Sequence, residues 1–172
     1  SICGNPYISL SDTSVAVPAN PLAGQKVEVV RSTVINDKDV LTEWLPPVLA
    51  PTRVIQYNVM RSTDNVNFSE IASLPASALS YIDYDTDVHQ QEYYYRIDVV
   101  SDCQVVGTLS NDGSSILLKS DWENEKTKLW WTKYTDWDTG VDYYIIEKEN
   151  PFGQWDPVKT VPGTETQTTL DE

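Results

Sequence analysis

The residues of this chain whose spacing most resembles a chemical site are Asp83, Asp85 and Asp87, in "DYDTD". Carboxylates at alternate positions let a loop wrap oxygen ligands around calcium. The glycine that turns an EF-hand loop is missing, and Val88 and His89 stand there instead. Two readings follow: a calcium site on Asp83, Asp85 and Asp87, or a strand ending at Asp83 with solvated loop charges after it. "DWDTGVD", with Asp136, Asp138 and Asp142, poses the same choice.

Aromatic residues offer a second chemistry. Trp130 adjoins Trp131, so strand alternation sends the two to opposite faces, and Trp137 sits in a polar loop that contains a glycine. With Trp122 they are candidate surface contacts, able to stack on sugar rings or anchor a protein partner. The competing reading has them covering a module junction or a sheet edge. "EYYYRIDVV", residues 92–100, raises the same question on a smaller scale.

Catalytic anchors are missing from the sequence. His89 is the only histidine and has no nucleophile motif near it, and neither a phosphate loop nor a nucleophile elbow is present. The 26 acids supply carboxylate pairs by coincidence, whereas acid–base catalysis needs a pair fixed in a cleft. No enzyme is expected. Cys3 and Cys103 lack metal-ligand spacing.

The elements that carry these residues are strands. Runs rich in Val, Ile, Thr, Tyr and Trp, such as "VLTEW", "IQYNVMR" and "YYYRIDVV", recur at intervals near ten residues between Asn, Asp, Gly and Pro clusters. That spacing predicts an antiparallel sandwich or barrel. A formal charge of −14 with no basic cluster leaves nucleic acid and anionic membrane without a footprint. No apolar run is long enough to span a bilayer, so membrane insertion is not expected.

Repetition organises the chain. Residues 44–75 overlie residues 131–162 at a constant offset of 87, with Trp44 on Trp131, Tyr57 on Tyr144 and Pro75 on Pro162. A one-residue slip then places Ile82 and Asp83 on Leu170 and Asp171. A second echo sets Cys3 over Cys103, about one module apart and too far to pair. The expected organisation is the closing strand and linker of one module over 1–22, a complete module over 23–118, and a partial one over 119–172 that lacks its last strands. On this reading the chain is a segment of a longer polypeptide. Positions 118 and 127 are only nine apart, so either the last module lacks a first strand or "ILLKSDW" closes one module and opens the next. Such a junction predicts a stiff pair.

Alternation places Tyr93, Tyr95, Ile97 and Val99 on one face of a strand, opposite Trp44 and Tyr57. The predicted core comprises Trp44, Tyr57, Tyr93, Tyr95, Trp131 and Tyr144, with Tyr94 left as the contact residue of the tyrosine run.

These residues resemble fibronectin type III modules, in which a Trp lies late in the second strand, a Tyr opens the third and a Tyr leads the sixth. Trp44, Tyr57 and Tyr93 match those positions, and Trp131 and Tyr144 repeat the first two. The wording "YNVMRSTDNVNFSEIASL" is similar to the tandem modules of large type IX-secreted surface proteins of gliding Bacteroidota. The resemblance implies an all-β fold of tandem fibronectin type III-like, immunoglobulin-like antiparallel β-sandwich modules. It implies a structural or adhesive, extracellular, cell-surface role, as in a gliding-motility adhesin, with no cofactor unless calcium binds. Its partners would be neighbouring modules, a protein or glycan surface ligand, or a secretion or adhesion complex. The alternative is a carbohydrate-binding or accessory module of a secreted hydrolase. An exposed, flat row of Trp122, Trp130 and Trp137 would mark that alternative.

Overall fold

A computed structural model describes residues 26–48, 53–102, 110–137 and 139–171. Cys3, Cys103, Asp138 and the expected 1–22 segment lie outside the described residues. Every strand pairing is antiparallel. The elements are β1 (Glu28–Ile35), β2 (Asp39–Leu45), β3 (Val54–Ser62), β4 (Ser69–Pro75), β5 (Ser80–Asp83), β6 (Tyr94–Ser101) and β7 (Gly113–Ser114). They are followed by β8 (Leu118–Glu123), β9 (Lys126–Trp131), β10 (Tyr143–Glu149), β11 (Trp155–Pro162) and β12 (Gln167–Asp171).

The first seven strands form two sheets, ordered β1-β2-β5 and β4-β3-β6-β7. This three-on-four arrangement is a fibronectin type III-like sandwich. Its core follows from alternation: Val29, Val40 and Trp44 from one sheet meet Tyr57, Val59, Tyr95, Ile97 and Val99 from the other. Trp44 and Tyr57 meet across the sheets edge-on, with ring centroids 5.6 Å apart. Tyr93 is buried and its hydroxyl accepts the Asp87 amide at 2.8 Å, the contact known as a tyrosine corner.

The remaining strands repeat the plan in part. Sheets β12-β9-β8 and β10-β11 correspond to β5-β2-β1 and β3-β4. Tyr57 faces Leu74 across β3–β4, and Tyr144 faces Val161 across β10–β11. Even the irregularity repeats, with a register shift between Val59 and Met60 in one pair and between Ile146 and Glu147 in the other. Trp131 and Tyr144 meet edge-on at 5.3 Å. The one-residue slip is not present: Thr42 faces Tyr81 as Leu129 faces Thr168, so Asp83 corresponds to Leu170 at the constant offset. The chemical likeness of Ile-Asp to Leu-Asp was misleading because strand register, not residue type, sets equivalence.

The short junction is resolved by β8, which pairs with β9 along its whole length as β1 pairs with β2. "ILLKSDW" therefore opens the second sandwich with a first strand. The first closes at Ser114, leaving Ser115, Ile116 and Leu117 between β7 and β8.

Asp83 is an ionic centre of the first sandwich. Its buried carboxylate accepts from Arg61 Nη1 at 3.0 Å, from the Tyr95 hydroxyl at 3.0 Å and from the Asp85 amide at 3.1 Å. Burial, followed by the Asp83 charge, holds the Tyr95 phenol far above its ordinary range. Removing the guanidinium would leave an uncompensated buried charge, so Arg61→Ala is expected to cost about 3 kcal/mol. A urea unfolding midpoint unchanged from wild type would contradict that role.

Candidate functional site

The expected calcium loop is not assembled. Asp83 turns inward to Arg61 and Tyr95, whereas Asp85 is exposed and Asp87 contributes its main-chain amide to Tyr93. Among the described residues no group of three or more His, Cys, Asp or Glu side chains converges as a metal site. Asp83 is paired with Arg61 of the opposing sheet.

The tryptophans do not share a platform. Trp122 faces Thr127 in the β8–β9 ladder and so lies on the side of Leu129 and Trp131, whereas Trp130 faces Lys119 on the opposite side. They are 66% and 40% exposed on different faces. Trp137 belongs to neither face. Its indole Nε1 donates to the Val30 carbonyl of the first sandwich at 3.2 Å, and its ring meets Tyr134 edge-on at 5.0 Å.

Trp137 therefore leads to the junction between the sandwiches, where buried polar groups from distant parts of the chain come together. The loop after β9 presses Tyr134, Asp136 and Trp137 against β1 and β7. Asp136 Oδ1 accepts the Ser114 amide at 2.7 Å and the Ser114 hydroxyl at 3.1 Å. Its other oxygen is buried with no hydrogen-bond partner among the described residues, and the Tyr134 hydroxyl and the Ser32 main chain lie near the carboxyl. Burial pushes the Asp136 carboxyl above its ordinary value, and the Ser114 amide and hydroxyl pull against that rise. Burial and then the Asp136 charge likewise raise the Tyr134 phenol well above its usual range.

Fit at this point requires glycine. A Cβ on Gly113 would lie 2.5 Å from Ser32 Oγ, 2.6 Å from Val29 Cγ1 and 3.3 Å from Asp136 Oδ2. The connecting residues are divided between the two bodies. Ser115 bonds Tyr93 through its amide at 2.9 Å and its hydroxyl at 3.0 Å, whereas Ile116 packs on the Leu129–Trp131 core. The Leu117 amide donates to Thr132 Oγ1 at 2.9 Å. Lys119 adds its ammonium to the His89 carbonyl.

Clamping β1 has a local logic as well. It is an edge strand, whose free amides and carbonyls invite pairing. Asn111 occupies both main-chain groups of Val29, at 2.8 and 3.0 Å, and Trp137 covers the Val30 carbonyl. The sequence signalled Trp137 by its loop setting, and Asp136 only as a calcium or solvated-loop carboxylate of "DWDTGVD". Only the arrival of Ser114 beside it marks its role.

The core residues Trp44, Tyr57, Tyr93, Tyr95 and Trp131 are buried and Tyr144 is half-buried. Tyr94 is also half-buried, on the outer face of β6, and burial followed by its bond to Glu92 pushes its phenol up to about 12.

No family model matches the chain, and no curated protein matches it. Solved structures do. An Fn3-like protein from Clostridium thermocellum is 21% identical over 49% of this chain and 83% of its own, with a TM-score of 0.43. A two-domain fibronectin type III segment of chicken tenascin is 20% identical over 86% of this chain and 82% of its own, with a TM-score of 0.39. Pectate lyase PelI from Erwinia chrysanthemi is 25% identical over 52% of this chain, with a TM-score of 0.44. The match spans 28% of that enzyme, and 12% of a β-1,2-glucanase from Parabacteroides distasonis. Likenesses this distant carry nothing about activity or ligand.

Two outcomes test the junction. Gly113→Ala should destabilise by roughly 1–3 kcal/mol, because β7 cannot move away from β1 without losing the Ser114 bonds. A carboxyl with a raised folded pKa is most favourable below its unfolded value and loses stability as pH rises through the folded one. The stability of wild type relative to Asp136→Asn should therefore fall as pH rises through that window and level off above it. Parallel urea midpoints for the two proteins across the window would contradict the assignment.

Proposed function

We propose that this chain is a structural spacer, two sandwiches in series that hold a fixed mutual orientation and transmit load, in an extracellular cell-surface protein. Support comes from the Asp136–Ser114 bond, a buried contact between side chain and backbone of different sandwiches, backed by Trp137 on β1. A buried carboxylate hydrogen-bonded to a main-chain amide restricts bending more than the connecting residues alone would. Resemblance of the sequence to the modules of type IX-secreted surface proteins supports a bacterial adhesin, of the gliding-associated kind, as the parent protein. Among the described residues no helix is long and apolar enough to cross a membrane.

The role needs no catalytic group. Antiparallel ladders and the inter-sheet Trp–Tyr contacts bear the load, and the acidic surface keeps neighbouring copies apart. A carbohydrate-binding role loses its support with the tryptophans, because Trp122 and Trp130 point away from each other and Trp137 is engaged at the junction.

Backbone ¹⁵N relaxation tests the reading. Both sandwiches should tumble with one rotational correlation time in wild type, and Asp136→Ala combined with Trp137→Ala should give each its own. Independent tumbling already in wild type would rule out a stiff spacer.

A further inference from the structure

We propose that the junction is an acid-tightened joint: the two sandwiches lock when Asp136 and Glu92 carry a proton and loosen when both carboxyls ionise. The inference rests on the spacer reading and adds the condition under which the spacer is stiff.

Both acids stand where the sandwiches meet. Asp136, from the loop after β9, is 8% exposed and reaches Ser114 of β7. Its two donors, the Ser114 amide and hydroxyl, both go to Oδ1, so Oδ2 is buried with no partner among the described residues. A neutral carboxyl suits that division: Oδ1 still accepts both bonds, and a proton on Oδ2 has the Tyr134 hydroxyl oxygen near it. A carboxylate would instead keep charge on a buried oxygen without a donor. Glu92 makes the converse approach, from the first sandwich to the second. It precedes β6, is half-buried, and has the hydroxyls of Tyr94 and of Thr132, the residue after β9, near its carboxyl. Thr132 is itself fixed at the joint, since its hydroxyl accepts the Leu117 amide and its amide donates to the Leu117 carbonyl.

No cation offsets either charge. Every Lys, Arg and His of the chain lies among the described residues, and none of the ion pairs they form includes Asp136 or Glu92. Ser32 of β1 approaches Asp136 uncharged, and Arg31 beside it turns to Glu43, its charge acting on the Tyr134 phenol. Elsewhere at the joint Lys119 holds the His89 carbonyl, and the His89 ring lies 3.7 Å from Asp37.

Burial pushes both carboxyls above their ordinary values, against the pull of the neutral donors around them. In separated sandwiches the same groups would face water, so closing the joint takes up protons. Closure is therefore most favourable below the ordinary carboxyl range, weakens as pH rises through the raised values and levels off above them.

Amide exchange on the intact 172-residue chain reads the joint, because the Ser114 amide is bonded across it whereas the Val59 amide belongs to a ladder inside the first sandwich. From about pH 5 to about pH 8, the protection of Ser114, corrected for intrinsic exchange, should fall by about tenfold relative to that of Val59. Asp136→Asn combined with Glu92→Gln should abolish that fall, and each single variant should remove part of it. His89→Gln, which changes the other titrating side chain at the joint, should leave it in place. The proposal is overturned if wild-type Ser114 protection is flat or rises with pH, if the double variant shows an equal fall, or if His89→Gln abolishes it. Any of these with a single ¹⁵N correlation time leaves the stiff spacer standing. Separate correlation times even at about pH 5 overturn the spacer reading and the joint with it.

Discussion

Each sandwich is organised around one contact, the edge-to-face meeting of a tryptophan late in the second strand with a tyrosine early in the third. Trp44 meets Tyr57 and Trp131 meets Tyr144 at nearly the same distance and angle. The contact joins opposing sheets, so it sets their separation and the relative placement of β2 and β3, and of β9 and β10. Both indole N–H groups are buried without a hydrogen-bond partner among the described residues. The rings are held by packing and by ring electrostatics, a large apolar contribution with a directional preference. Strand register, the repeated bulge and the facing of each inward residue are consistent with that one arrangement.

The two sandwiches differ in what completes them. In the first, β6 supplies Tyr95, Ile97 and Val99 opposite Trp44, and its core residues are almost fully buried. In the second, the core is smaller, with Leu129, Trp131 and Val161 buried and Tyr144, Ile146 and Leu170 only partly covered. The ionic centre also differs. Asp83 has Arg61 and Tyr95, and its equivalent in the second sandwich is Leu170, so the buried charge belongs to one copy of the plan and not to the plan itself.

Much of the fold was legible because strand alternation and a fixed offset are properties of order along the chain. Trp44 over Trp131 and Tyr57 over Tyr144 located the repeat, and the two-residue period of residues 93–100 sorted the tyrosines into Tyr93 and Tyr95 inside and Tyr94 outside. The slip placed at Asp83 shows the limit of that reasoning. A like-looking pair one residue away outweighed the register, although a shift of one residue reverses the facing of a whole strand. The aspartates of "DYDTD" do not converge among the described residues for a related reason: spacing within a loop cannot show that Arg61, twenty-two residues earlier, pairs with Asp83.

By itself the sequence determined the all-β class, the repeat and the inward residues, since these depend on local periodicity and on side-chain type. Tertiary structure alone decided the junction. Asp136 and Ser114 are twenty-two residues apart, and nothing in either neighbourhood shows that this aspartate meets Ser114. It becomes a clamp because only three residues separate β7 from β8, bringing the loop after β9 onto the end of the first sandwich, where burial gives a hydrogen bond to a main-chain amide a weight it lacks in water.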